Sequence, residues 1–478
     1  MELGALVPTL IVLGAAALVL VLDLLPPRRT KEHLGGVALA GVVAALLASI
    51  AQWGRGARGF RDMVVLDDYA LFLHVVICYA AALAVLLSID YLRRNGIESG
   101  EYYALVLLST SGMLLLASAG DLLIVFLGIE LMSLPLYVLA GLFKTRLPAG
   151  EASLKYFLLG VFATTFLLYG TALIFGTTGA TNLARIAAAT AGRASGDALL
   201  TLGLGLLLVG FGFKISSVPF HMWAPDVYQG APTSITALIA TGSKAAAFGA
   251  LLRVLMVALK SAQADWTVLL WAIAAVTMTA GNVVAIAQSN LKRMLAYSSI
   301  AHVGYMLIGL VAGGVPGAGA ILYYLLAYTF TTAGAFGAIL MAERADGEEA
   351  VEVQDYAGLA RRHPVLAATL ALYLLSLVGI PPLAGFMAKF ALFGAAVRAG
   401  HVWLTVVAVL NSAIAAYYYL RVIVYMYMRD AEGAGTRVAP TFAGGLALAI
   451  AAIGIVLLGV APAPFVDLAQ AAVAPLMR

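Results

Sequence analysis

Apolar runs of roughly 20 residues, the length a helix needs to cross a hydrocarbon core of about 30 Å, recur about fourteen times along this chain. They centre near Gly14, Gly41, Tyr79, Leu108, Met132, Ala163, Leu207, Ile239, Val276, His302, Tyr328, Gly379, Ile414 and Gly454. Most connections between them are short and polar, so the pattern predicts an all-α polytopic membrane protein with about 14 transmembrane helices. The run Leu3 to Leu25 has no basic residue ahead of it and is longer than a signal-peptide core, so it is expected to remain as the first membrane helix. Two connections are longer. One is the Gly/Ala-rich stretch from Thr177 to Asp197, and the other is Arg344 to His363, which carries Glu348, Glu349, Glu352 and Asp355.

Two runs exceed one straight crossing. About 28 residues separate Asp197 from Asp226 and about 34 separate His363 from Arg398, or about 42 and 51 Å of helix. Pro219 removes the amide that would bond the Ile215 carbonyl, and Pro381 and Pro382 do the same to Leu377 and Val378. Helices seven and twelve are therefore expected to be broken, with the freed carbonyls facing protein or water. They lie five helices apart. This spacing divides the chain into an N-terminal group of three helices (1–100), a five-helix unit of helices four to eight (101–262), a second of helices nine to thirteen (263–430), and a C-terminal helix (431–478). An odd number of crossings per unit makes the second copy enter from the opposite face, an inverted repeat.

Composition narrows the class further. The chain is 63% hydrophobic and 11% charged, with a mean hydropathy of +1.00, which excludes a water-soluble globule. Its formal charge of +4 is spread between apolar runs rather than gathered in a patch, which argues against nucleic-acid binding. These cations read as topology determinants. Odd-numbered connections, with Arg28, Arg29, Lys31, Arg93, Arg94, Lys144 and Arg146, hold about fourteen Lys and Arg against about eight elsewhere, placing both termini on the outer side. The single cysteine, Cys78, precludes an intrachain disulfide and a cysteine-ligated cluster. No glycine-rich nucleotide loop is present, so any coupled electron transfer runs in another chain.

Against that apolar background, Glu130, Lys214, Lys244 and Lys389 stand out. Each ionisable group at membrane depth costs roughly 2.5–3.5 kcal/mol, and the default reading of a series of them is an ion or proton path. Glu130 and Lys214 each precede a proline, Pro135 and Pro219, by five residues. Lys244 lies midway between Pro232 and Lys260, and His302 joins the group as a relay candidate. Lys389 is about 13 Å of helix from Arg398, nearer one surface. The competing readings are a snorkelling Lys214, a structural ion pair at Lys244 and a satisfied core histidine at His302. Lys155, four residues after Glu151, reads as an ordinary interfacial pair. Arg253, Lys292, Arg293 and Arg421 read as interfacial anchors, while His221 and Asp226 are placed to satisfy open backbone or hydrate the path. Lysine suits proton transfer because arginine stays protonated above about pH 12, whereas a desolvated ammonium can release its proton near neutrality.

Three long stretches carry a resemblance. FKISSVPFHMWAPDVYQGAPTSITALIATGSKAAAF (213–248), SNLKRMLAYSSIAHVGYMLIG (289–309) and GIPPLAGFMAKF (379–390), with ELMSLPLYVL (130–139), resemble the subunit N family of proton-pumping NADH:quinone oxidoreductases. The resemblance covers essentially the whole chain. It implies an antiporter-like fold of fourteen helices with two inverted five-helix repeats. It also implies a modulating pair in Glu130 and Lys214, a central connecting lysine in Lys244, a relay in His302 and a terminal lysine in Lys389. It further implies that NADH, flavin, iron–sulfur clusters and quinone belong to partner subunits, with no cofactor or metal in this chain. The implied partners are the lipid bilayer, a second antiporter-like subunit and small membrane subunits, in a bacterial inner membrane. The larger antiporter-like subunits carry a long C-terminal lateral helix, which this chain is expected to lack. Two other functions remain open on the sequence: a subunit of a multi-subunit sodium/proton antiporter, and a structural anchor whose charges are paired.

Overall fold

In the computed structural model, residues 2–25, 31–97, 100–191, 197–344, 347–431, 436–439 and 441–477 are described. Arg28 and Arg29, two of the cations used above for orientation, lie outside them. Among the described residues thirteen helices are long and apolar enough to cross a membrane. The remaining expected span is two shorter helices, Pro364–Val378 and Ala384–Arg398, and counts as helix twelve. In chain order the others are helix one (Leu3–Asp23), two (Glu32–Ala51), three (Asp68–Arg94), four (Gly100–Ala117), five (Leu122–Ala140), six (Leu147–Thr178) and seven (Ala198–Ile215, resuming at Trp223–Gly230). Helix eight (Thr233–Ala258), nine (Lys260–Ile286), ten (Leu291–Ala312), eleven (Gly314–Leu340), thirteen (Val402–Met428) and fourteen (Phe442–Val460) complete the set. Two short two-stranded ribbons, Ala57–Gly59 with Val64–Leu66 and Ala342–Glu343 with Arg437–Val438, are the named strands among the described residues.

Helix eight is buried along nearly its whole length, and helices three, ten and eleven are mostly buried. The sequence explains why. Lipid tails are as apolar as leucine, so membrane helices associate through close packing, and small residues permit it. Helix eight is rich in Ala, Gly, Ser and Thr, and a Cβ on its Gly249 would sit 2.4 Å from Leu73 Cδ1 of helix three. Helices nine and ten cross through reciprocal glycines: a Cβ at Gly281 would lie 2.7 Å from Ala301 N, and one at Gly304 2.5 Å from Met278 N. Helices four and five repeat the device. There, Gly112 faces Met132 N at 2.3 Å and Gly128 faces Leu116 Cα at 2.9 Å. Helices four and five precede the break in helix seven as helices nine and ten precede that in helix twelve.

Both breaks exist, but the first falls earlier than expected. Helix seven does not run through Pro219; it stops at Ile215, where Ser216 takes a left-handed conformation (φ 65°), and resumes at Trp223. The open carbonyls are consequently those of the preceding turn. Phe213 O accepts from the Trp223 indole at 2.9 Å, Gly212 O accepts from Ser217 N, and Val218 N donates to Thr277 of helix nine. Helix twelve breaks where the prolines indicate, with Gly379 at φ 90°. Helix eight contains two π-turns, Ile239–Ser243 and Val254–Ala258, and the first ends against Lys244. Such bulges often mark functional positions in helices.

Candidate functional site

All three central lysines are buried and point inward. Lys214 donates to Ser133 Oγ at 2.6 Å and Tyr137 OH at 3.3 Å, both on helix five. The rings of Tyr137, Tyr156 and Phe213 surround its ammonium at 5.4 to 5.8 Å, a geometry favourable to a cation. A snorkelling lysine would reach for a surface, and this one does not. Glu130, one turn before Ser133, lies within electrostatic reach of Lys214 but makes no ion pair with it among the described contacts. Its buried Oε1 has no hydrogen-bond partner among the described residues. Ser133, one turn after Glu130 on the same helix, accepts from Lys214 and donates its own proton to Ile129 O.

Lys244 is met by Ser299 of helix ten, donating to its hydroxyl and, at 3.3 Å, to its carbonyl. The structural ion pair considered for Lys244 is absent among the described residues. Ser299 is a junction, since Tyr328 OH donates to it at 2.9 Å and Tyr228 OH lies 3.4 Å away. His302, one turn further along helix ten, is satisfied on both nitrogens, by Tyr324 OH at 2.6 Å and Tyr419 OH at 3.2 Å. Its ring also packs at 5.2 Å from Tyr328 and 5.7 Å from Tyr305. The charges of both Lys244 and Lys389 act on it.

Lys389 resolves the second break. Its ammonium donates to Leu377 O at 3.1 Å and Val378 O at 2.9 Å, the two carbonyls that Pro381 and Pro382 cannot serve. It also lies 5.0 Å from the Tyr305 ring centroid.

The five residues therefore do not touch one another directly. Serines and tyrosines lie among them: Ser133 hydrogen-bonds Lys214, Ser299 hydrogen-bonds both Lys244 and Tyr328, whose ring packs on His302, and the Tyr305 ring lies near His302 and Lys389 while its hydroxyl accepts from Asn282. Tyr156 lies against Lys214, and its buried hydroxyl has no hydrogen-bond partner among the described residues. Sequence reasoning missed these groups. A signal existed in YSSIAHVGY, where Ser298, Ser299, His302 and Tyr305 recur at helical spacing, and in tyrosines placed mid-run rather than at the interfacial belts.

Several surrounding charges fall differently from expectation. Lys155 does pair with Glu151 at 2.5 Å, but it also reaches Asp226 at 2.6 Å, and Arg293 binds Asp226 at 2.7 Å. Asp226 is thus an ion-pair node that ties helices six and ten to the second half of helix seven, and does not serve open backbone. Arg253 and Lys292 are buried rather than interfacial. Arg253 forms a two-pronged pair with Asp67 (2.8 and 2.7 Å). Lys292 donates to Ala231 O at 2.8 Å and lies 3.7 Å from Glu349. Distance from the end of an apolar run does not reveal such burial, because the loops carrying Asp67 and Glu349 fold inward. Cys78 is buried and unpaired. Among the described residues no three His, Cys, Asp or Glu side chains converge as a metal site.

Buried lysines on helices seven, eight and twelve and a buried histidine on helix ten, in a bundle with two broken helices, mark an antiporter-like membrane subunit. Residues 119–415 match the family described as NADH:quinone oxidoreductase/Mrp antiporter, TM. NADH-quinone oxidoreductase subunit N of Trichlorobacter lovleyi is 46% identical over 473 residues, covering 99% of this chain and 97% of that relative. A chain of respiratory complex I from Thermus thermophilus with bound aureothin superposes with a TM-score of 0.82 at 36% identity, over 97% of this chain and 99% of that one. A chain of the Mrp complex from Dietzia sp. shares the fold, with a TM-score of 0.86 at 23% identity over 100% of this chain and 98% of that one. The chain belongs to the subunit N family of NADH-quinone oxidoreductases, the antiporter-like membrane subunits of complex I.

Proposed function

We propose that this subunit translocates protons along Glu130, Lys214, Lys244, His302 and Lys389, driven by quinone reduction elsewhere in the complex. The observation that carries this reading is that Lys214, Lys244 and Lys389 are all buried at membrane depth with only hydroxyl, carbonyl and aromatic partners. A structural cation would be paired with a carboxylate, as Arg253 is. Ammonium groups whose hydrogen bonds go to neutral partners can lose and regain a proton without breaking an ion pair. The serines and tyrosines between them supply groups that both donate and accept, which relays and bridging waters require.

In this reading the chain performs no redox chemistry. NADH, flavin, iron–sulfur clusters and quinone are bound by partner subunits, and this subunit packs in a bacterial inner membrane beside a second antiporter-like subunit and small membrane subunits. Both termini face outward, and Lys389 guards the outer exit. Helices four to eight (101–262) and nine to thirteen (263–430) act as inverted repeats. The paired breaks and the two reciprocal-glycine crossings support that division. The test is donor-driven proton uptake by membrane vesicles carrying the complex: Lys214→Ala is expected to abolish or strongly reduce it, and undiminished uptake overturns the reading.

A further inference from the structure

We propose that Glu349, in the connection between helices eleven and twelve, is the uptake carboxylate that loads Lys244. This inference rests on the reading of Lys244 as a proton station. Glu349 comes from a polar loop, yet its side chain is only 15% exposed and is drawn between the starts of helices eight and ten. Its Oε2 accepts from Thr233 Oγ1 at 2.6 Å and lies 3.7 Å from Lys292 Nζ. Its Oε1 is enclosed and has no hydrogen-bond partner among the described residues. Tyr91, Arg94 and Tyr356 lie within electrostatic reach, Arg94 being paired with Glu343 and the Tyr356 hydroxyl donating to Ala350 O. A carboxylate with one oxygen engaged and the other enclosed but unbonded is placed to take a proton from outside and hand it inward.

Polar groups stand at intervals between this carboxylate and Lys244, leaving gaps for bridging waters to span. On helix eight, Thr233, Thr236, Ala240 and Lys244 follow at spacings of three, four and four residues and so share one face. Thr236 Oγ1 donates to Tyr228 O at 3.1 Å, and the Tyr228 hydroxyl reaches Ser299, the partner of Lys244. On helix ten, Lys292 and Ser299 lie two turns apart, about 10 Å along the axis. The opposite end of helix eight is closed: Arg253 is held by both oxygens of Asp67 and covered by the Tyr69 ring at 4.9 Å. The end at Glu349 is the one that meets a polar connection, where that carboxylate is 15% exposed. With both termini outward, that end faces the inside, the side from which protons are taken. The proton enters on Glu349 from bulk water, passes along the hydroxyls and bridging waters, and ends on the neutral Lys244 amine. Glu349, left ionised, is reprotonated from bulk.

Vesicles carrying the complete complex, driven by NADH with a soluble quinone as acceptor, test this through protons taken up per NADH oxidised. Assembly is read on native gels. Lys244→Met sets the scale. E349Q, which keeps the shape and removes the titrating group, is expected to lose at least about half as much uptake as Lys244→Met, with E349D restoring most of it. A smaller loss in E349Q, or no rescue by E349D, overturns the role of Glu349 while leaving that of Lys244 intact. Undiminished uptake in Lys244→Met is a distinct result that overturns both. If E349Q does not assemble, Thr233→Val probes the same line by removing one hydroxyl. It carries the same expected loss, and uptake at the wild-type level overturns the proposal.

Discussion

Replacing Lys389 with methionine separates its two tasks. The variant keeps an unbranched stem and removes the ammonium that serves Leu377 O and Val378 O. Leaving two buried carbonyls unpaired costs about 1–3 kcal/mol each, and losing the Tyr305 face costs about 0.5–2 kcal/mol. Removing a buried charge returns roughly 2.5–3.5 kcal/mol. The balance ranges from about 1 kcal/mol of stabilisation to about 5.5 kcal/mol of destabilisation, centred near 2 kcal/mol of destabilisation, spread over a chain packed through fourteen crossings. The complex should therefore assemble while its proton traffic fails. Native gels report assembly, and vesicles report donor oxidation and proton uptake together. We expect assembled complex at half or more of the wild-type amount, with uptake per donor molecule clearly reduced. Full uptake in the assembled variant refutes the role of Lys389, and absence of the complex refutes the energy balance.

Ser133→Ala removes the 2.6 Å partner of Lys214. A hydrogen bond to a charged group is worth about 1.5–3 kcal/mol, so uptake through this subunit should slow roughly ten- to hundred-fold, and an unchanged rate in vesicles excludes Ser133 as a linker. Lys155→Ala should be mild. Its two ion pairs are partly exposed and Arg293 still holds Asp226, so wild-type assembly and at least half the uptake are expected, and a null phenotype contradicts this. Asp67→Asn should cost about 3–5 kcal/mol and lower the amount of complex on native gels, because it strands the Arg253 guanidinium in the interior. Burial alone would raise the Asp67 carboxyl, but Arg253 overcomes it and holds it below the usual carboxylate range. With the folded-state value depressed, the stabilisation from this pair is complete above about pH 4 and is lost only as pH falls further. Dissociation of the wild-type complex between pH 5 and 7 that Asp67→Asn abolishes would contradict that window.

The helices, both breaks (the first only to within a few residues) and the five candidate residues stood out in the sequence because each departs from a simple rule of membrane sequences: length, proline or charge in an apolar run. Leu377 and Val378 could even be named as freed carbonyls, although not that Lys389 would serve them. What stayed hidden depends on tertiary contact. Tyr156, Tyr305 and Tyr328 count as apolar when runs are scanned, so their hydroxyls vanish into the hydropathy. Arg253 and Asp67 are 186 residues apart, and nothing local says that they meet. Helix seven ends before Pro219 because Ser216 turns left-handed and the Trp223 indole takes up the Phe213 carbonyl, a cap supplied from ten residues downstream.

The central claim is that Lys214 works by releasing and regaining a proton rather than by being positive. Lys214→Arg keeps the charge among Tyr137, Tyr156 and Phe213, but a guanidinium must spend at least about 7.5 kcal/mol to lose its proton at pH 7. That slows release by on the order of 10⁵-fold. Donor-driven proton uptake by vesicles carrying the assembled Lys214→Arg complex should accordingly fall as far as it does in Lys214→Ala. Full uptake by the arginine variant would contradict a titrating Lys214 and leave only a fixed charge at this position.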